Sequence, residues 1–115
     1  MKNLPGKVID VLENNKWRVC GIYEQDDKQY AELETFSDAG EDFVVTIWYD
    51  GTGRDFANSF WECFADFDPD EHAEELIAMR GQHGIPNNIR TLIDDANSIN
   101  DMLETTACEL IGLYE

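Results

Sequence analysis

The sequence predicts one α+β domain over residues 1–115: a short N-terminal helix, a four-stranded antiparallel meander, and two C-terminal helices packed on the sheet. Three observations predict this class. Apolar residues recur at helical spacing at the start of the chain, alternate with a period of two from Lys16, and return to heptad spacing from Ile89. With 115 residues and 43% hydrophobic content, the chain is long enough to enclose one core.

The first helix is predicted at residues 5–14. Its apolar face consists of Leu4, Val8, Val11 and Leu12. The pair Asn14–Asn15 follows the last of these residues and is typical of a helix end.

Four extended segments are predicted next. In the first, Trp17, Val19, Gly21 and Tyr23 are expected on one face and Arg18, Cys20, Ile22 and Glu24 on the other. Residues 30–36 alternate again, and residues 42–49 have the β-branched and aromatic content of a central strand. The segment RDFANSFWECFADF predicts a fourth strand that ends near Phe64. Because the turns QDDKQ, SDAGED and Asp50–Gly51 are short, sequential antiparallel pairing is expected.

The stretch DFDPDEHAEE, residues 66–75, is the densest run of candidate metal ligands. Asp66, Asp68 and Asp70 match the first three ligand positions of a calcium loop. However, Glu71 stands where that loop needs glycine and Ile77 where it needs a bidentate glutamate. The calcium motif therefore fails at its most demanding positions.

A helix start explains the same residues better. Asp68 is predicted as the N-cap, with Pro69 at the first helical position. Asp70 and Glu71 then lie in the first turn, where the helix dipole favours negative charge, and Glu71 completes a capping box. The acidic stretch therefore favours a cap, and no metal or cofactor is expected.

Two helices are predicted to end the chain. The first spans residues 69–80, with Ala73, Leu76 and Ile77 buried and Gly81 as its C-cap. The linker GQHGIP contains His83, which is expected in solvent. The last helix starts at Ile89, and its heptad seam consists of Ile89, Leu92, Ala96, Ile99, Leu103, Thr106, Leu110 and Leu113. This seam is expected to pack against the chain's own sheet rather than against a second copy.

Charge excludes several classes of partner. The chain has 25 acidic and 8 basic residues, which gives a net charge of −17. Direct nucleic-acid binding needs clustered Lys and Arg, and anionic membranes repel such a chain, so neither partner is expected.

We predict an untargeted cytoplasmic protein, because no long apolar segment and no signal-peptide pattern is present. Cys20, Cys63 and Cys108 are too far apart for a zinc motif and are predicted to be buried free thiols.

The sequence contains only incomplete versions of known catalytic motifs. His72 and Glu74 match the HxE of zinc deaminases, but no PCxxC follows. Cys63 and His72 are candidates for a thiol–imidazole pair, although no third residue is placed to orient them. The sequence therefore predicts a protein that is not an enzyme, with no catalytic residue.

The segment from GEDF (40–43) through FDPDEHAEELIAMRGQHGIPNNIRTLIDDANSINDML, within residues 40–104, resembles a family of small acidic proteins carried by phages and mobile elements of gut anaerobes. The blocks D-x-DEHAE, MRG-x-x-G-[IV]-P and LIDDA carry this similarity. The family has no assigned activity, so the resemblance implies a mobile-element context and no catalytic residues.

Two functions remain as predictions. In the first, the chain is a protein-interaction module that inhibits a basic, nucleic-acid-binding protein by presenting DNA-like negative charge, since duplex DNA carries one charge per about 1.7 Å of axis. Its candidate partner-facing residues are Asp70, Glu71, Glu74, Glu75, Asp94, Asp95, Asp101 and Glu104. In the second, the chain is an assembly module that dimerises through the long C-terminal helix. A monomer is favoured because self-pairing through that helix would bring acidic flanks together.

Overall fold

The computed structural model describes residues 4–37, 40–82 and 84–115. The predicted α+β class is confirmed, with a three-stranded antiparallel sheet and four helices in the described residues. The elements in chain order are α1 (Gly6–Asn14), β1 (Arg18–Gln25), β2 (Lys28–Phe36), β3 (Asp42–Tyr49), α2 (Gly53–Asp66), α3 (Pro69–Ala78) and α4 (Ile89–Gly112). The predicted solvent position of His83 and part of the predicted turn SDAGED lie outside the described residues.

Helix α1 confirms the first predicted element, and its end turns the chain into the sheet. The amide of Trp17 donates to the Leu12 carbonyl at 2.9 Å, and the amide of Lys16 donates to the Glu13 carbonyl at 3.0 Å. Lys16 has a φ of 68°. This pair of bonds around a left-handed residue is the Schellman arrangement, which satisfies the last helical carbonyls and directs Trp17 into the core.

The sheet has the order β1-β2-β3. Strands β1 and β2 are joined by Asp26 and Asp27, whose φ values of 51° and 66° correspond to a type I′ turn. The pairing register of β1 shifts between Val19 and Gly21. The predicted alternation of β1 is therefore wrong beyond Val19: the bulge exchanges the faces, so that Ile22 packs on the core and Tyr23 is exposed.

The predicted fourth strand is wrong, because residues 53–66 form helix α2. The Thr52 side chain accepts from the Asp55 amide at 3.2 Å and caps the helix. Phe56, Ala57 and Phe60 lie on its buried face at helical spacing. Phe56 and Phe60, which suggest a strand in isolation, thus lie on one stripe of a helix that packs beneath β3, whereas Trp61 is 40% exposed.

One face of the sheet forms the main core with α1, α2 and the C-terminal part of α4. Its fully buried large side chains include Leu12, Leu33, Ile47, Phe56, Phe60, Ile99, Leu103 and Leu110. The helices of this core do not pack on the opposite face. That face displays a row of aromatic side chains across the strands, in which Tyr23 is opposite Tyr30 and Tyr30 is opposite Trp48. Ring centroids in the row are 5.2 and 4.6 Å apart. The sheet therefore has one buried face and one exposed face.

The C-terminal helices largely match their predicted limits. Helix α3 ends at Ala78, two residues early, with Met79 as its C-cap, and Gly81 adopts a φ of 77° in the following turn. In α4, the seam residues Leu92, Ala96, Ile99, Leu103, Thr106 and Leu110 are all buried. Ile89 is exposed and Leu113 lies just past the helix end. The seam is thus confirmed over its central six residues and is covered by the chain itself.

Candidate functional site

Helix α3 begins at the predicted N-cap, but among the described residues the Glu71 side chain makes no capping-box bond to the Asp68 amide. One Asp68 carboxylate oxygen accepts from the amide of Asp70 at 3.0 Å and from the amide of Glu71 at 3.3 Å. Pro69 occupies the first helical position. This cap fixes where the helix starts, and therefore which of its acidic residues face outward.

Helices α3 and α4 pack against each other beyond the main core. Ala73 and Leu76 of α3 are buried, as are Leu92 and Ala96 of α4, yet none of these four belongs to the core cluster beneath the sheet. They form a separate apolar contact between the two helices. Helix α3 and the N-terminal part of α4 therefore form a unit outside the core beneath the sheet.

Seven of the eight acidic residues singled out in the sequence are exposed. We call these seven residues the acidic surface: Asp70, Glu71, Glu74, Glu75, Asp94, Asp101 and Glu104. On α3, Glu71, Glu74 and Glu75 lie opposite Ala73 and Leu76. On α4, Asp94 and Asp101 are two turns apart, opposite the buried stripe.

Asp95 does not belong to this surface, and its predicted partner-facing role is wrong. Its relative exposure is 3%. Helix α4 contacts both α2 and α3, so its buried stripe is wider than the heptad seam. Asp95 lies within this wider stripe, between Leu92 and Ala96. Heptad counting alone assigns that position to the polar side.

Few cations compensate the acidic surface. From residue 66 to the end of the chain the only basic residues in the sequence are Arg80 and Arg90, apart from His72 and His83. Both arginines lie in the connection between α3 and α4 or in the first turn of α4. Arg80 donates to the Ile77 carbonyl at 2.9 Å and so caps its own helix. The outward faces of α3 and α4 are therefore strongly negative over most of their length.

His72 ties α3 to the start of β3. Its Nε2 lies 3.1 Å from one Glu41 oxygen and 3.2 Å from the other. The hydrogen bond to Glu41 raises the pKa of His72, against the effect of burial, and the charges of Glu41, Glu75 and Asp95 raise it further. The imidazole also contacts Phe43 and Phe67, with ring centroids 5.8 and 5.3 Å away. The sequence gives no signal for this pair, because its members lie 31 positions apart.

A cavity of about 380 Å³ lies beside this ion pair. Its apolar walls include Leu76, Ile85 and Leu92, and its polar walls include Glu41 and Asp95. It is bounded by the start of β3, α3, the connecting loop and the first turns of α4. The cavity therefore lies where four segments of the chain meet.

The described residues offer little of the chemistry of a catalytic thiol or a metal site. Burial raises the pKa of the Cys63 thiol, with a further contribution from Asp66, whereas a nucleophilic thiol needs a lowered pKa. Cys20 and Cys108 are exposed, so their predicted burial is wrong, because the β1 bulge and the α4 stripe turn both outward. Within residues 4–37, 40–82 and 84–115, no three His, Cys, Asp or Glu side chains are grouped so that they could hold a metal ion.

No protein-family model, no curated protein and no solved structure matches this chain. The resemblance to proteins of mobile elements therefore stays a prediction. No helix among the described residues is long and apolar enough to cross a membrane.

Proposed function

We propose that this protein is a non-enzymatic interaction module whose acidic surface binds a basic protein. The partner is one that binds nucleic acid, and the acidic surface would compete for its cationic site. The observation that carries the proposal is the exposure of seven carboxylates on two helices that are packed together and face outward.

The placement of these carboxylates supports binding rather than general solubility. They are carried by two helices that share a buried contact, so the backbone positions of the acidic residues are held relative to one another, on faces turned away from that contact. Fixed charges of one sign create a potential that steers a cationic partner and suppresses anionic ones. Cytoplasmic residence fits this proposal, since the partner class is found there.

The alternative function, assembly through the long helix, has less support. A coiled-coil dimer needs its seam exposed in the monomer. Leu92, Ile99 and Leu103 are at most 1% exposed, because they pack on the rest of the chain. The seam would have to leave this core before it could meet a second copy.

The decisive experiment compares two variants of equal net charge. The first neutralises the acidic surface with Glu71→Gln, Glu74→Gln, Glu75→Gln and Asp101→Asn. The control neutralises four exposed acids elsewhere, namely Asp10→Asn, Glu13→Gln, Glu24→Gln and Asp26→Asn. Each tagged variant is used to capture proteins from host lysate at low and high salt, and each captured basic protein is then tested for displacement from duplex DNA.

We expect the wild type and the control variant to capture and displace the same basic protein at low salt. The surface variant should lose both activities, and high salt should weaken binding by the wild type, because screening reduces electrostatic attraction. Equal loss in both variants would show that only total charge matters. A complex that persists unchanged at high salt would also contradict the proposal.

A further inference from the structure

The outer edge of the sheet is formed by β3, and no further strand pairs with it among the described residues. Strand β3 is the last in the order β1-β2-β3 and pairs with β2 alone. Within the described part of the chain, the backbone of residues 43–48 has no hydrogen-bond partner other than β2. Such an edge exposes a row of amides and carbonyls that another strand can pair with.

Strand β3 lacks the sequence and register features by which proteins protect edge strands. Bulges, prolines and charged side chains discourage pairing between edges. Strand β3 has regular register throughout, contains no proline, and has a single charged residue, Asp42. The opposite edge, β1, has a bulge after Val19 and carries both Arg18 and Glu24. Only one of the two edges is therefore open to addition of a strand.

Two antiparallel self-pairings of β3, centred on Val45 or on Thr46, pair seven of its eight residues, and only the first of these opposes no like charges. Residues opposite one another in such a pair must share a face of the sheet. With Val45 on the twofold axis, Phe43 meets Ile47 of the second copy and Val44 meets Thr46, while Asp42 meets Trp48. No like charges oppose one another. Shifting the axis to Thr46 would instead place Asp42 opposite Asp50.

We infer that this protein self-associates by antiparallel pairing of β3 with β3 of a second copy, centred on Val45. The product is a continuous six-stranded sheet, with the helices of both copies on one face. One strand pair buries a small interface, so the dimer is weak and depends on concentration. Because each chain has a net charge of −17, association strengthens when salt screens the repulsion. This inference does not depend on the proposed binding of a basic partner, which salt weakens.

Two substitutions on the exposed sheet face distinguish the edge from the face. Val44 is 54% exposed on β3, next to the twofold axis, and Phe36 is 58% exposed on the central strand β2. Val44→Glu and Phe36→Glu each add one negative charge to the same exposed face of the sheet, and neither substitution changes a side chain of the core. Sedimentation equilibrium over a concentration series, at low and high salt, measures the dimer dissociation constant for the wild type and both variants.

We expect Val44→Glu to raise the dissociation constant by about tenfold or more, since it puts two new charges beside the axis, and Phe36→Glu to leave it nearly unchanged. Amide exchange supplies a second measurement on the wild type: residues 42–49 should gain protection as concentration rises, and residues 18–25 should not. A wild type that stays monomeric at high concentration and high salt would overturn the inference. Equal loss of association in both variants, or protection that appears in β1 instead, would overturn it as well.

Discussion

The indole of Trp17 donates a hydrogen bond to the Thr106 hydroxyl over 3.0 Å in the buried core. The two residues are 89 positions apart, and the bond joins the residue just before β1 to the C-terminal half of α4. The same hydroxyl donates to the Met102 carbonyl at 2.8 Å, so it is both donor and acceptor. Thr106 is the one polar member of the heptad seam, and its partner explains how a fully buried hydroxyl is accommodated there.

Thr106→Val should therefore destabilise the fold although the two side chains have the same shape. It leaves the Trp17 N–H buried without an acceptor, at a cost of about 1–3 kcal/mol in the free energy of unfolding. Urea denaturation measures this cost. Thr105→Val is the matched control, because Thr105 is the exposed neighbour and should change stability by less than about 0.5 kcal/mol. Equal stability of the two variants would contradict the assigned hydrogen bond.

Asp68→Ala tests the cap of α3. It removes the acceptor for the Asp70 and Glu71 amides and should cost about 1 kcal/mol. Asp66→Ala is the control, since Asp66 is the exposed last residue of α2 and caps nothing; its loss should be much smaller. Thermal denaturation with and without millimolar calcium measures both. A similar loss at both positions, or a calcium-dependent melting temperature, would favour a shared ligand role over the cap.

Features that depend on near neighbours or on a simple period can be predicted from the local sequence. The cap at Asp68 depends on neighbours within three positions, and the seam around Leu103 depends on a simple period, so both are predictable. Helix α2 had a readable local signal in Thr52, Asp55 and the Phe56–Phe60 spacing, which its aromatic content obscured.

Other features depend on contacts that only the folded chain defines. Burial of Asp95 arises because a second helix packs beside α4, which the heptad count does not include. The bulge in β1 depends on how Val19 and Gly21 fit β2. The ion pair of His72 with Glu41 requires the start of β3 to meet α3. None of these is encoded within one segment.

Leu103→Ala tests whether the α4 seam belongs to the monomer. Leu103 is fully buried in the main core, so truncation should lower the free energy of unfolding by about 2–5 kcal/mol. Glu104→Ala, at the adjacent exposed position, is the control. Sedimentation should show the same concentration dependence of mass for the folded variant and the wild type. A dimer that is lost in Leu103→Ala alone would show that the seam, and not the core, is the dimer interface.

The pair of His72 with Glu41 predicts a defined dependence of stability on pH. Glu41 raises the pKa of His72 in the folded state, assisted by the charges of Glu75 and Asp95. A raised folded pKa means that protonation favours folding, so the contribution is fully present below the unfolded histidine pKa of about 6.5 and is lost as pH rises through the folded value. The stability difference between wild type and His72→Gln should therefore be larger at about pH 5.5 than at about pH 9.

Urea titrations at both pH values measure this stability difference. Glu41→Gln should remove most of this pH dependence while leaving the imidazole in contact with Phe43 and Phe67. A difference that is constant across this range, or that grows as pH rises, would contradict the ion pair.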